Sequence, residues 1–345
     1  RWVVGIVLGV YIGTIVLLNI PNIQQAMSVF VAEELSEVLN TKVVIGRINM
    51  GLLNRIIIDD VLLDDQSGQE MLKVTRLSAK FDIMPFFKGK ISISSVQLFG
   101  FNINLRKETP DSPPNFKFVL DAFASKDTVK KENSLDLRIN SILIRRGRMS
   151  YHVLSEEETP GKFNAKHIQL QNIIANISLK ALSKDSLNLG IKRLSLDEKA
   201  SGFSLKKMSL KLVANNKQTN IDNFTIELPE TSLKLDTIHL EYDSLKAFDR
   251  FTEQVHFSFR TLPSQVTLKD ISPFVPILSH FKEPVTLDME VKGTVDQLTC
   301  SHLEITADDR QFRLRGDVSL QDLSRPQDAY VYGTLSELSA NTRGV

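Results

Sequence analysis

Six histidines, His152, His167, His239, His256, His280 and His302, are the side chains of this 345-residue chain best suited to hold a metal ion or relay a proton. None has a second histidine or a carboxylate at the close spacing through which one helix or loop grips a metal, so spacing assigns no metal site. The sequence has no G-x-S-x-G elbow, no H-E-x-x-H helix and no glycine-rich phosphate loop ahead of a helix. Asp59-Asp60 and Asp64-Asp65 offer carboxylates. However, "DDQSGQE" at 64–70 lacks the alternating oxygens and closing glutamate of a calcium loop, and it reads as a solvated hairpin turn. "RRGR" at 145–148 reads as a charged turn or an edge blocker. Asn176 and Asn223 open N-x-S/T patterns inside alternating segments, where they read as coincidence. These residues point away from an enzyme: no catalytic residue, no metal and no cofactor is expected.

Charge and cysteine content narrow the classes further. Forty-two basic against 41 acidic residues leave a net charge of +1, so the chain lacks the basic field that nucleic acid requires. The single cysteine, Cys300, excludes an internal disulfide and a thiolate zinc site and reads as a small apolar filler.

What remains is a pattern of elements. From Trp2 to Ile20 the chain is uncharged, and a helix of that length spans about 28 Å, close to the hydrocarbon thickness of a bilayer. The segment 1–21 therefore reads as an uncleaved transmembrane anchor, carried by Trp2, Val7, Leu8, Ile12, Ile15 and Leu17. The first cations after it are distant (Lys42, Arg47), which puts Arg1 inside and the bulk outside. Residues 22–40 place Ile23, Met27, Phe30, Val31, Leu35 and Val38 on one helical stripe, with Asn40 as its stop. This is an amphipathic helix that caps a sheet or lies at the membrane surface.

From 41 to 345 the period changes to two. "VQLFGFNINL" puts Phe99, Phe101, Ile103 and Leu105 on one face; "NFTIELP" does so for Phe224, Ile226 and Leu228, and "SLKL" for Leu233 and Leu235. "VHFSFR" aligns Val255, Phe257 and Phe259, and "VTLDMEVKG" aligns Val285, Leu287, Met289 and Val291. Such alternation predicts a mainly β fold: antiparallel strands with one apolar and one solvated face, in degenerate units of two strands and a turn. Helical interruptions are expected only over 116–124, 245–251 and 271–281, and the sheet is expected to continue past Val345.

A sheet with one apolar face must cover it, since apolar surface left wet forfeits roughly 25 cal/mol per Å². With so few helices, either the sheet closes on itself as a dry sandwich or it curls into a trough whose lining is covered by a ligand with hydrocarbon tails; alternation fits both.

Five segments also carry a resemblance. "LSEVLNTKVVIGRINMGLLNRIIIDDVLLDD" after the amphipathic helix, then "ISISSVQLFGFNINLRK" and "PPNFKFVLDAF", resemble the amino-terminal region of the AsmA-like superfamily, closest to its TamB (translocation and assembly module) branch. "LKDISPFVPIL" with "VTLDMEVKGTVDQLTCSHLEITADDRQFRLRGDVSL" is similar to the repeated portion of that family. The resemblance implies a single-pass bacterial inner-membrane protein with its bulk in the periplasm, folded as a repeating β-groove. Such a protein moves phospholipid toward the outer membrane and meets an Omp85-type barrel through a carboxy-terminal domain. On the groove reading the alternating apolar faces supply the lining: Phe101, Ile103, Phe224, Ile226, Leu228, Leu233, Leu235, Val255, Phe257, Phe259, Leu287, Met289 and Val291. Two other roles fit the same strands: an assembly factor for outer-membrane β-proteins, and a non-catalytic envelope scaffold.

Overall fold

Strand dominates the computed structural model of the chain, which describes residues 2, 9–10, 12–13, 16–51, 54–82, 91–124, 135–136, 140–182, 186–307, 312–325 and 328–340. The chain divides into two units. No helix among the described residues is long and apolar enough to cross a membrane. Of the expected anchor, Val7, Leu8 and Ile15 lie outside the described residues, while Trp2, Ile12 and Leu17 are exposed.

Unit one comprises Arg1–Pro160, Asn164–Asn176 and Glu198–Ala200. It contains α1 (Pro21–Leu39), with proline in the first turn where its missing N–H costs nothing. Asn40 stops the helix in the left-handed region (φ 48, ψ 43), a conformation asparagine tolerates. The inward face is narrower than the expected stripe. Met27, Val31, Ala32, Leu35 and Leu39 pack on Val43, Ile45, Ile48 and Leu63, whereas Phe30 is 62% exposed and Val38 42%. The buried face centres on Ser28, Ala32 and Leu35, so Phe30 falls on the far side of the helix.

An antiparallel meander follows: β1 (Val43–Gly51), β2 (Arg55–Asp64), β3 (Glu70–Phe81) and β4 (Ile91–Lys107). After α2 (Lys117–Ala124) and the short β5 (Leu135–Asp136), β6 (Ser141–Val153) returns beside β4 in parallel, Ser95 opposite Ser141 through Lys107 opposite Val153. This departs from the all-antiparallel expectation. Residues 108–140 are long enough to cross over and start the next strand from the same end, which a hairpin cannot do. The crossover also seals the core, since Phe116, Phe118, Val119 and Ala122 pack on the α1–β1 cluster.

The strands of unit one change phase along one row. Register sets Arg47, Asp59, Arg76, Phe99 and Arg145 side by side, and two residues away Ile45, Val61, Val74 and Phe101. Between these rows Asp60 (φ 55), Gly100 (φ 65) and Arg146 (φ 56) stand in the left-handed region. In β1 the buried residues are Val43 and Ile45, two apart, and then Ile48, three further on. The reading of Phe99 and Phe101 on one face is corrected in the same way. Phe99 is exposed beneath the Arg146 guanidinium at 5.1 Å, while Phe101 is buried against Gly147, where a Cβ would lie 2.4 Å from its ring.

Unit two comprises Gly161–Phe163, Ile177–Asp197 and Ser201–Val345. Part of β7 (His167–Leu182) and most of β8 (Ser186–Glu198) precede β9 (Ser204–Asn215), β10 (Gln218–Glu227), β11 (Ser232–Leu235) and β12 (Ile238–Glu241). Then come β13 (His256–Arg260), β14 (Ser264–Val266), β15 (Val285–Gly293), β16 (Gln297–Ala307), β17 (Phe312–Gln321) and β18 (Tyr330–Ala340). Every pairing from β8 to β18 is antiparallel. The long strands β10 and β15 each face two short ones: β12 and β11 along β10, β13 and β14 along β15. Where a helix is expected at 245–251 there is a 3-10 turn (Leu245–Arg250) continued by α3 (Phe251–Gln254). The segment 271–281, interrupted by Pro273 and Pro276, forms only 3-10 pieces, Leu268–Ile271 and Pro276–His280.

Candidate functional site

The pleat turns the alternating residues of unit two into apolar rows that run across strands. One row is Leu194, Met208, Ile226 and Leu233, one residue from each of β8, β9, β10 and β11. Another is Phe259, Val291, Cys300 and Val318, and a third is Leu287, Ile305, Leu314 and Leu338. Phe224 faces Leu235, Leu240 faces Phe257, and the Phe257 and Phe259 rings stack at 6.2 Å.

Several strands hold this pattern only by inserting a residue, and in two of them the inserted residue has positive φ. In β10, Asn223 (φ 53) absorbs a register shift between Asp222 and Thr225, so Ile221 and Phe224 fit one pattern although three apart. In β16, His302 (φ 54) does the same between Cys300 and Leu303. Such bulges add twist and re-aim the following side chains. Asn223 is thus explained by its backbone.

Burial divides the expected lining. Phe224, Ile226, Leu233, Phe257, Phe259, Leu287, Met289 and Ile103 are half-buried, whereas Phe101, Leu228, Leu235 and Val291 are buried. Val255 has no exposed surface and packs with Tyr242 and Ala247 beside the helical turn, where it serves the fold. Neighbouring positions in these strands carry charge: Lys207 meets Glu227 at 3.3 Å, Arg315 meets Glu304 at 3.0 Å, and Lys292 meets Glu290 at 2.6 Å. The hydrogen bond and charge of Lys292 hold the Glu290 carboxyl below its ordinary range, and Arg315 does the same for Glu304. Cys300 is buried within its row, and that burial, with the charge of Asp317, pushes its thiol up.

Unit one holds two polar centres that spacing did not reveal. Asp65, in the turn set aside as a calcium loop, is a buried hub. Its carboxylate accepts from the Ser67 and Gln69 N–H groups, the Ser67 hydroxyl and the Asn115 amide, and it pairs with Arg106 at 2.7 Å. Burial alone would raise its pKa, but these hydrogen bonds outweigh burial and the group sits below its ordinary value. The second centre brings together two histidines that spacing alone left without a partner. His152 and His167, fifteen residues apart, meet with Nδ1 atoms 3.0 Å apart, and Glu158 lies 3.9 Å from His152 Nδ1. They flank one loop, which the Val153 N–H closes by bonding the Lys166 carbonyl. The legible signal was a histidine at the end of one strand and another at the start of the next.

No family model matches the chain, and no curated protein matches it.

Proposed function

We propose that the chain is a membrane-anchored, non-catalytic carrier whose apolar rows hold the acyl chains of phospholipids and pass them along a β-groove toward the outer membrane. The observation that carries this reading is the half-burial of two rows in unit two, those through Ile226 and Leu287. In a dry sandwich, residues such as Ile226, Phe257 and Leu287 would be covered by protein, whereas here each keeps exposed surface. Apolar area left partly wet in register across successive strands suits a ligand with hydrocarbon tails. Transfer of this kind makes and breaks no bond. Weak binding repeated at equivalent rows favours movement over retention. The uncharged run Trp2–Ile20, read as an anchor, the exposed Val29 and Phe30 of α1, and the resemblance to the AsmA-like superfamily support an envelope location.

The test is lipid carriage by the full chain. Phospholipid co-purifying with the protein should fall about tenfold in Ile226→Ser/Leu314→Ser, with a melting temperature within a few degrees of the parent, since each position loses only part of a side chain's burial. Unchanged lipid, or unfolding of the variant, would contradict the reading and favour a dry scaffold.

A further inference from the structure

We infer that His152, His167 and Glu158 form a binding site for a borderline divalent metal ion, zinc above all, that clips the loop 154–166 onto the ends of β6 and β7. The ligand atoms lie within 4.8 Å of one another. Two imidazoles and one carboxylate are a donor set that zinc accepts, with a fourth position left open. In tetrahedral geometry two nitrogens bound at about 2.05 Å stand about 3.3 Å apart. The Nδ1 atoms of His152 and His167 are 3.0 Å apart, so a small opening admits the ion.

The surroundings orient the ligands. His167 is buried, and its Nε2 lies 2.9 Å from the Glu156 carbonyl. A carbonyl can only accept, so His167 carries its proton on Nε2 and turns the Nδ1 lone pair toward His152. This second hydrogen bond is the device that commonly fixes a metal-binding imidazole. The loop is held independently: the Glu156 N–H bonds the Val153 carbonyl, the Asn164 amide donates to the Glu157 carbonyl at 3.1 Å, and the Glu156 carboxylate pairs with Lys166. Glu158 is exposed and can swing to complete the set. A cavity of about 200 Å³, lined by Glu158, Asn164, His167, Gln169 and Lys199, lies beside the ligands and leaves room for a water or an anionic fourth ligand.

The probe is the metal itself, added to chelator-treated full-length protein in detergent. Competition with a chromogenic chelator should show one Zn²⁺ bound per chain, and Co²⁺ should give the intense visible bands of a four-coordinate site. His152→Ala and His167→Ala should each weaken Zn²⁺ about 100-fold or more, and Glu158→Gln about tenfold. Glu158 is on the exposed side of a loop, so its variant reports binding even if a histidine variant misfolds. The inference is overturned if Zn²⁺ binds no more tightly than to the His256→Ala/His280→Ala protein stripped of His152 and His167, if the Glu158 variant binds as the parent does, or if Co²⁺ stays six-coordinate.

Discussion

At the scale of the residue, buried polar and sulfur groups hold the turns and rows in place. Asp65 gathers four hydrogen bonds and a salt bridge to a largely buried Arg106. Asp65→Ala strands that guanidinium and leaves the turn N–H groups of Ser67 and Gln69 without their acceptor. It should lower stability by about 3 kcal/mol, measured by denaturant unfolding. The sign of the pH dependence follows from the lowered pKa. The contribution of Asp65 is present above its unfolded value near 3.8 and is lost as pH falls through the lower folded value, so the parent should lose stability below about pH 4 and Asp65→Ala should lose less. Cys300 supplies a second test. Its raised thiol pKa and burial predict negligible labelling by an exposed-thiol reagent in the native protein and full labelling in guanidinium. The filler role of Cys300 was legible from its place in "GTVDQLTC". The Asp65 hub was not, because its partners Arg106 and Asn115 lie 41 and 50 positions away and only the fold brings them to the turn.

At the scale of the element, alternation identified the strands, and what it missed was phase. Period-two reading assumes that every residue is extended. Asp60, Gly100, Arg146, Asn172, Asn223 and His302 are not, and each sits inside a strand with positive φ. Asparagine, aspartate, glycine and histidine tolerate that region better than other residues, so Asn172 in "QNI" and Asn223 in "DNF" are partial signals, whereas Arg146 gives none. The parallel pairing of β6 with β4 was hidden for another reason, because strand direction depends on the crossover and not on the strand's own residues. The close approach of Phe101 to Gly147 gives the test at this scale. Gly147→Val places a branched side chain where the Phe101 ring and Ile173 already stand, at 2.4 and 3.1 Å from the new Cβ. The expected cost is about 2 kcal/mol or more, read as a lowered melting temperature, and Phe101→Ala in the same chain should recover part of it.

At the scale of the whole molecule, each unit has its own small buried core. Unit one builds its core where α1 and α2 meet β1 to β3. Unit two concentrates a smaller cluster at Tyr242, Ala247 and Val255, leaves the rows through Ile226 and Leu287 half-buried, and covers Val291 and Cys300 of the row between them. A carrier of hydrocarbon tails requires that distribution and a dry scaffold does not. The most direct test is a photo-crosslinking residue at Ile226, with one at Glu227 as the neighbouring control, in the full chain in cells, with adducts identified by mass spectrometry. Phospholipid adducts at 226 and none at 227 are the predicted result. Only intramolecular adducts at 226, or lipid at both positions alike, would contradict the account.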